Sequence, residues 1–328
     1  PSPIRIGRDA FIAPLGPTEA RLEQDNTLVL DFCDLRVGSK RFEGLNTIHA
    51  QKLIYESHGF EMNPWDNAVQ FKRRLLDRND FPSSSGFEAV FRFRVGKDAI
   101  PDRLLLWVER GNLYRLQING EEAVWSDRTS PLDHHLHAAD IAGAVTEGDN
   151  VITLGARPFD IRMELESIYL SGPFSVIEEE SRWTIGKPSP LGIGSWRAQG
   201  LPFYAQGAVY ENRFVVDDIG KRHTIRLPRW AGTAASLHVN ESFAGLFGAG
   251  QGEALDVTSL LREGVNAVRV RISGSFKNLF GPFHDPMRPR KTAWPAHWKR
   301  SPLYGPPPAA DYDLIDLGLL DDIRLIAD

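Results

Sequence analysis

Carboxylates, histidines and aromatics are the residues in this chain that could do chemistry, and their spacing limits what each set can do. Hydrolysis of a glycosidic bond needs two carboxyl groups flanking the scissile bond, about 5–10 Å apart. Glu109, Glu122, Glu164, Glu166, Glu211 and Glu253 are the acidic candidates. Alternation places most of them on outward strand faces or in turns, and no spacing ties two of them to one pocket. The sequence therefore assigns no catalytic residue. His134-His135-Leu136-His137 has metal-ligand spacing, because residues i and i+3 meet on a helix and the ends of His135-Leu136-His137 share a strand face. No third ligand follows from the spacing, and a solvated or partly packed strand leading into Asp140 is the simpler reading. Cys33 is the single cysteine, and its apolar run Leu30-Asp-Phe-Cys-Asp-Leu35 reads as a buried site for a small hydrophobe. The serines form no nucleophile elbow, and Gly192-Ile193-Gly194 lacks the third glycine of a phosphate-cradling loop.

Aromatic side chains are the better lead. A sugar presents apolar C–H faces that stack on Trp and Tyr while its hydroxyls seek polar partners, and Trp suits half-wet surfaces. Trp183, Trp196, Phe203 and Tyr204 cluster ahead of a strand that starts near Ala208. His284, Trp294, His297 and Trp298 fall in a long stretch rich in Pro and aromatics, with Lys291, Lys299 and Arg300 beside them to attract an acidic sugar or phosphate. The expected carbohydrate contacts are therefore Trp196, Tyr204, His284, Trp294, His297, Trp298 and Lys299. The competing reading is that these aromatics fill a core or a seam between modules. Trp65, in a turn-like segment, and the Arg110–Tyr114 connection are weaker leads.

The elements that must position these residues are mostly strands, with period-2 alternation bounded by Gly, Pro, Asn and Asp. Expected strands are Thr27–Phe32, Glu88–Val95, Arg103–Glu109, Tyr114–Ile118, Val151–Leu154 and Glu166–Leu170, then Ala208–Val216, His223–Leu227, Ala235–Val239, Ala267–Ile272 and Asp322–Ile326. Phe42–Ser57 has helical spacing, and Val69–Leu76 reads as a short helix or an edge strand. The segment Asp140–Asn150 is written again as Asp256–Asn266, an offset of 116. Upstream, Leu116-Gln-Ile-Asn-Gly120 answers Leu237-His-Val-Asn-Glu241 and Phe91-Arg-Phe93 answers Asn212-Arg-Phe214, both at an offset of 121. A near-constant offset over this stretch reads as one module used twice. The expected division is a lead-in or upstream tail at 1–25, a first β-sandwich at 26–177, and a second at 178–328 with a long loop at 274–313.

Bulk properties exclude several classes. A 328-residue chain is long enough for two self-sufficient cores. A formal net charge of −5 and the lack of an RNA-binding signature argue against a nucleic-acid partner. No apolar run approaches the ~20 residues of a membrane-spanning helix. One cysteine excludes an intrachain disulfide, which fits a reducing compartment or a disulfide-free secreted or periplasmic bacterial protein. The opening Pro1-Ser2-Pro3 fits a processed terminus or a piece of a longer polypeptide.

Three stretches carry a resemblance. Gly200-Leu-Pro-Phe-Tyr204 leads into Gly207–Phe214, Leu227–Asn240 forms a strand pair ending in Val-Asn with Glu241 where Gly is usual, and Leu255–Asn266 matches an "Asp-Ile-Thr…Leu-Lys-x-Gly-x-Asn" turn. This series resembles the galactose-binding-like β-sandwich modules of family 2 and rhamnosidase-like glycoside hydrolases. The first module repeats it with Asn119-Gly120 intact, and adds Glu166–Phe174 as a closing strand. The resemblance covers roughly Gly86–Asp328 and implies an all-β chain of two tandem jelly-roll, galactose-binding-like sandwiches with little helix. It further implies a non-catalytic, carbohydrate-binding accessory region that accompanies an upstream catalytic domain, and a structural Ca²⁺ of the kind such sandwiches often carry. A polysaccharide-cleaving enzyme in its own right and a purely structural spacer are the alternatives.

Overall fold

The computed structural model describes residues 10–61, 63–64, 77–130, 133–248, 254–285 and 300–327. Trp65, Glu253, Lys291, Trp294, His297, Trp298, Lys299 and the expected element at Val69–Leu76 lie outside the described residues. The chain divides into two compact units. The first comprises Asp25–Pro188 and Phe280–Leu314; the second comprises Pro1–Gln24, Ser189–Leu279 and Ile315–Asp328.

The first unit is built from two sheets. Four antiparallel strands run in the order Leu136–Asp140, Leu105–Glu109, Ile168–Gly172 and Asn26–Leu30. The larger, eight-stranded sheet centres on Phe87–Val95, which pairs antiparallel with Gly148–Ala156 and with Phe32–Val37, and parallel with Arg182–Gly186. Alternation in Phe87-Glu-Ala-Val-Phe-Arg-Phe-Arg-Val95 buries Phe87, Ala89, Phe91, Phe93 and Val95, and leaves Glu88, Arg92 and Arg94 on the outer face. Leu106 and Val108 of the small sheet are likewise buried, as sandwich layers require. One helix, Thr47–Ser57, is capped by Asn46, whose Oδ1 accepts from the Ile48 amide at 3.2 Å.

In the second unit a five-stranded antiparallel sheet runs in the order Ser242–Phe247, Ala234–Val239, Gly264–Ser273, Gly207–Val216 and Glu19–Leu22. A four-stranded sheet runs Ala10–Ile12, Arg324–Ala327, His223–Arg226 and Ala254–Asp256. Tyr210, Phe214, Val268, Val270 and Ile272 from the first sheet and Ile225 and Leu325 from the other share one apolar cluster. The chain is thus all-β with little helix.

The echoed segments adopt the same local geometry. Asn119 and Gly120 take φ of 52° and 90°, while Asn240 and Glu241 take 48° and 69°, so Glu241 occupies a left-handed position that Gly fills in the other turn. Asp140 Oδ1 accepts from the Ala142 amide at 3.1 Å and Asp256 Oδ1 from the Thr258 amide at 3.0 Å, each opening a short 3₁₀ turn. Gly148 and Gly264 follow with φ of 87° and 89°. The buried Asn150 and Asn266 then close matching networks. Each accepts from the amide four residues back and from the turn asparagine, and donates to two carbonyls.

The boundaries differ from those expected in three places. Residues before 25 are no mere lead-in, because Glu19–Leu22 is an edge strand of the second unit, pairing with Ala208–Glu211. The described part of the long loop from 280 onward belongs to the first unit, as do residues 178–188, which supply the Arg182–Gly186 strand. The expected helix at Phe42–Ser57 starts five residues late. Lys40–Asn46 is a strand, which Gly44 at φ 58° allows to receive the Gly305 amide at 2.7 Å.

Candidate functional site

The described residues of the segment 280–314 pack onto the first unit, and one buried carboxylate anchors them. Asp31 links the strands Asn26–Leu30 and Phe32–Val37 and is 4% exposed. Its Oδ2 accepts from His284 Nε2 at 2.7 Å and its Oδ1 from the Tyr312 hydroxyl at 2.9 Å. Burial, then the charge of Asp31, pushes the Tyr312 phenol well above its ordinary range, so it stays a donor. The His284 ring stands edge-on to Phe32 and Tyr312, with centroids 5.6 and 4.8 Å away. Further along, Arg300 Nη1 reaches both oxygens of the buried Asp285 at 3.2 Å, and the Ala309 amide donates to Ser181 O at 3.0 Å.

Where this segment meets the outer face of the large sheet, it leaves a groove of about 430 Å³. Pro306, Pro307, Pro308 and Tyr312 form one side, and the sheet supplies Arg92, Arg94, Asp149, Arg182 and Trp183. Trp183 is half-buried and stands edge-on to Tyr312 at 5.9 Å. Arg94 approaches Asp149, Glu179 and Glu180 at only 3.8–3.9 Å, too far for hydrogen bonds, so among the described residues its donors face water or a ligand. Glu180 and Ser181 at the rim both take positive φ, 50° and 64°, in a tight turn that usually carries Asn and Gly. An aromatic ring between guanidinium and carboxylate groups is the combination that carbohydrate recognition uses: a stacking face ringed by hydrogen-bonding groups.

Of the expected contacts, the structure places three. Trp196 and Tyr204 are each 1% exposed, so neither has a face for a sugar to stack on. Trp196 Nε1 donates to the Tyr210 hydroxyl at 2.7 Å, and Tyr204 donates to Gly207 O at 2.7 Å; both are core pillars of the second unit. His284 adjoins the groove through Asp31, and its side chain, only 4% exposed, packs behind the groove wall. Trp294, His297, Trp298 and Lys299 lie outside the described residues. The groove residues were missed because they come from separate segments, and only Trp183 carried a local signal.

The carboxylate candidates also sort themselves. Glu122 pairs with Arg115, and Glu211 with Arg269 at 3.1 Å. Glu164, Glu109 and Glu166 each add negative charge in the neighbourhood of Tyr114, whose hydroxyl is buried with no hydrogen-bond partner among the described residues. Glu164 Oε1 accepts from Gln51 Nε2 at 3.1 Å and Asn63 Nδ2 at 3.0 Å. Crowding by protein, then the charges of Glu164, Glu109 and Asp133, pushes the Glu166 carboxyl up to about 8. Burial, then Asp133, raises Glu109 as well. Glu166 nonetheless keeps an exposed surface, where water offsets part of this upward push. Cys33 is buried beside Asp34, and both effects push its thiol well up.

His135 and His137 of the cluster are held by neighbouring groups of the chain. His137 Nδ1 lies 2.9 Å from His135 O, and His135 Nδ1 lies 3.3 Å from Asp133. Among the described residues no group of three or more His, Cys, Asp or Glu is placed to hold a metal ion. No helix among them is long and apolar enough to cross a membrane.

No protein-family model matches the chain, and no curated protein matches it. Among solved structures it is similar to a rhamnosidase from Novosphingobium sp. PP1Y, at 18% identity over 75% of this chain and 23% of that one, with a TM-score of 0.31. It is similar also to an α-L-rhamnosidase from Streptomyces avermitilis solved with L-rhamnose, at 17% identity over 61% and 22% of the two chains, TM-score 0.25. A β-D-mannosidase from Dictyoglomus thermophilum matches at 9% identity over 76% and 31%, TM-score 0.27. The structural neighbours are thus glycoside hydrolases, and the chain spans a third or less of these three. At such TM-scores the likeness assigns neither activity nor site.

Proposed function

We propose that the chain is a non-catalytic, carbohydrate-binding part of a longer glycoside hydrolase, built from two copies of a galactose-binding-like sandwich module. The observation that carries this reading is the groove of the first unit, where Trp183 and Tyr312 stand among Arg92, Arg94, Asp149 and Arg182. Recognition there is stacking on the exposed part of Trp183 plus hydrogen bonds from the guanidiniums, with no covalent step. The twin asparagine networks and the resembling segments support the module reading, and a catalytic domain elsewhere in the polypeptide would be its partner.

The test is retention on immobilised polysaccharides and quenching of Trp fluorescence by neutral oligosaccharides. Binding should weaken about tenfold or more in Trp183→Ala, since stacking plus buried area is worth about 1–3 kcal/mol. The chain should release no reducing sugar. Absence of binding to every polysaccharide would leave a structural spacer. One observation favours a hydrolytic reading instead: the Glu166 and Glu109 carboxyls are both pushed upward, as a general acid is prepared. Release of reducing sugar that Glu166→Gln abolishes would establish that reading and end the accessory one.

A further inference from the structure

A second groove, of about 460 Å³, lies on the outer face of the same sheet in the first unit. It shares the strands Phe87–Val95 and Gly148–Ala156 with the first groove but uses their opposite ends, Glu88 with Thr153 and Gly155. Thr153, Gly155 and Gln117 floor it, and Gly155 leaves that floor without a side chain at one point. Three guanidiniums, Arg36, Arg115 and Arg157, line it against a single carboxylate, Glu88. A surplus of cations here is notable in a chain whose formal net charge is −5.

The three cations are not equally engaged. Arg36 Nη2 donates to Glu88 at 3.1 Å, with the two side chains 48% and 37% exposed. Arg115 pairs with Glu122, both 66% exposed. Exposed pairs of this kind are weak, and a ligand can replace them at little cost. Arg157 is exposed and makes no hydrogen bond or ion pair among the described residues. A planar guanidinium matches a carboxylate with two parallel bonds, which a lysine cannot do. Beyond the charges, the Gln117 amide and the Thr153 hydroxyl supply both donors and acceptors, and Leu113 gives an apolar wall. That lining fits a ring bearing hydroxyls with one anionic arm.

We propose that this groove binds a uronic acid, with Arg157 and Arg36 holding its carboxylate and Gln117 and Thr153 its hydroxyls. The site is separate from the Trp183 groove and does not depend on sugar binding there. The probes are glucuronate and galacturonate, each beside its neutral parent sugar, titrated into the full chain and read at the backbone amides of Gln117, Thr153 and Gly155 by NMR. At least one uronate should shift these amides while glucose and galactose do not. Arg157→Gln should weaken that binding about tenfold, the factor of losing one charge-assisted contact. Arg115→Gln serves as a second exposed variant, expected to weaken it by less. Trp183→Ala should leave it unchanged, which separates failure here from failure of the first groove. The proposal is overturned if neither uronate moves the amides, if the neutral parents move them equally, or if inorganic sulfate does so as well as the uronates. Insensitivity to Arg157→Gln would overturn it too.

Discussion

Replacing Asn266 by alanine tests the physical basis of the repeated turn. Asn266 is fully buried, and its Oδ1 accepts from the Arg262 amide at 2.9 Å and from Asn240 Nδ2 at 2.7 Å. Its Nδ2 donates to Arg262 O at 2.7 Å and Gly264 O at 3.0 Å. Four hydrogen bonds at about 1 kcal/mol net each set an upper expectation of about 4 kcal/mol. Water entering the vacated space would recover part of this, so we expect a loss of about 2–4 kcal/mol. For a unit of this size that corresponds to a melting temperature lower by roughly 6–12 °C. Urea unfolding followed by circular dichroism reads the free energy, and Asn150→Ala should behave alike because Asn150 makes the same set of bonds. Asn266→Asp is the decisive control. A carboxylate keeps the shape but presents oxygen to two carbonyl oxygens, so it should cost at least as much as alanine at pH 7. A loss below about 1 kcal/mol for alanine, or an aspartate variant as stable as the parent, would refute the assignment of Asn266 as donor and acceptor at once.

The raised Glu166 carboxyl makes stability fall with rising pH. Its carboxyl is raised from 4.5 to about 8, so between those values the folded chain holds a proton that the unfolded chain has lost. That contribution is present below about 4.5 and is lost as pH climbs through 8; in thermal melts from pH 5 to 9, Glu166→Gln should flatten the decline. Changing Glu180-Ser181 to Asn-Gly should relieve two left-handed non-glycine positions, at φ 50° and 64°, and raise the urea midpoint by an amount worth about 1 kcal/mol. Asp31→Ala strands the His284 ring and the Tyr312 hydroxyl, two hydrogen bonds to a charged acceptor worth about 3–6 kcal/mol together. Limited proteolysis should then cut between Phe280 and Leu314, and oligosaccharide binding at the adjoining groove should be lost. Unchanged binding would show that the segment does not form that wall.

Much of the scaffold was legible because its cause is local. Alternation in Phe91-Arg-Phe-Arg-Val95 follows directly from one buried and one wet sheet face, and the structure buries Phe91, Phe93 and Val95 as that pattern requires. The chemistry of Asp140, Asn150, Asp256 and Asn266 is likewise settled within a dozen residues of each, by capping and turning. The elements that escaped are those fixed by distant partners. Glu19–Leu22 is too short to show a period, and it becomes a strand only because Ala208–Glu211 offers it an edge. Lys40–Asn46 shares the spacing of Phe42, Leu45 and Ile48 with the helix that follows. What makes it a strand is pairing with Phe32–Val37.

The same contrast explains the site. Trp196 and Tyr204 stood out in the sequence as aromatics beside a strand, yet aromatic character alone does not separate a stacking platform from a core pillar. The decision rests on a partner: Tyr210 stands under the Trp196 indole and takes its N–H, which draws the ring inside. Trp183 instead stays half-buried on the strand Arg182–Gly186, beside Arg94 and the Pro306–Pro308 wall and edge-on to Tyr312. His284 shows the remaining possibility, a residue expected at the surface whose side chain lies one layer deeper. Its imidazole serves Asp31, and Asp31 in turn fixes Tyr312, the residue that faces the groove. A polar or aromatic residue in a long insertion therefore points to where the insertion is fastened before it points to what is bound there.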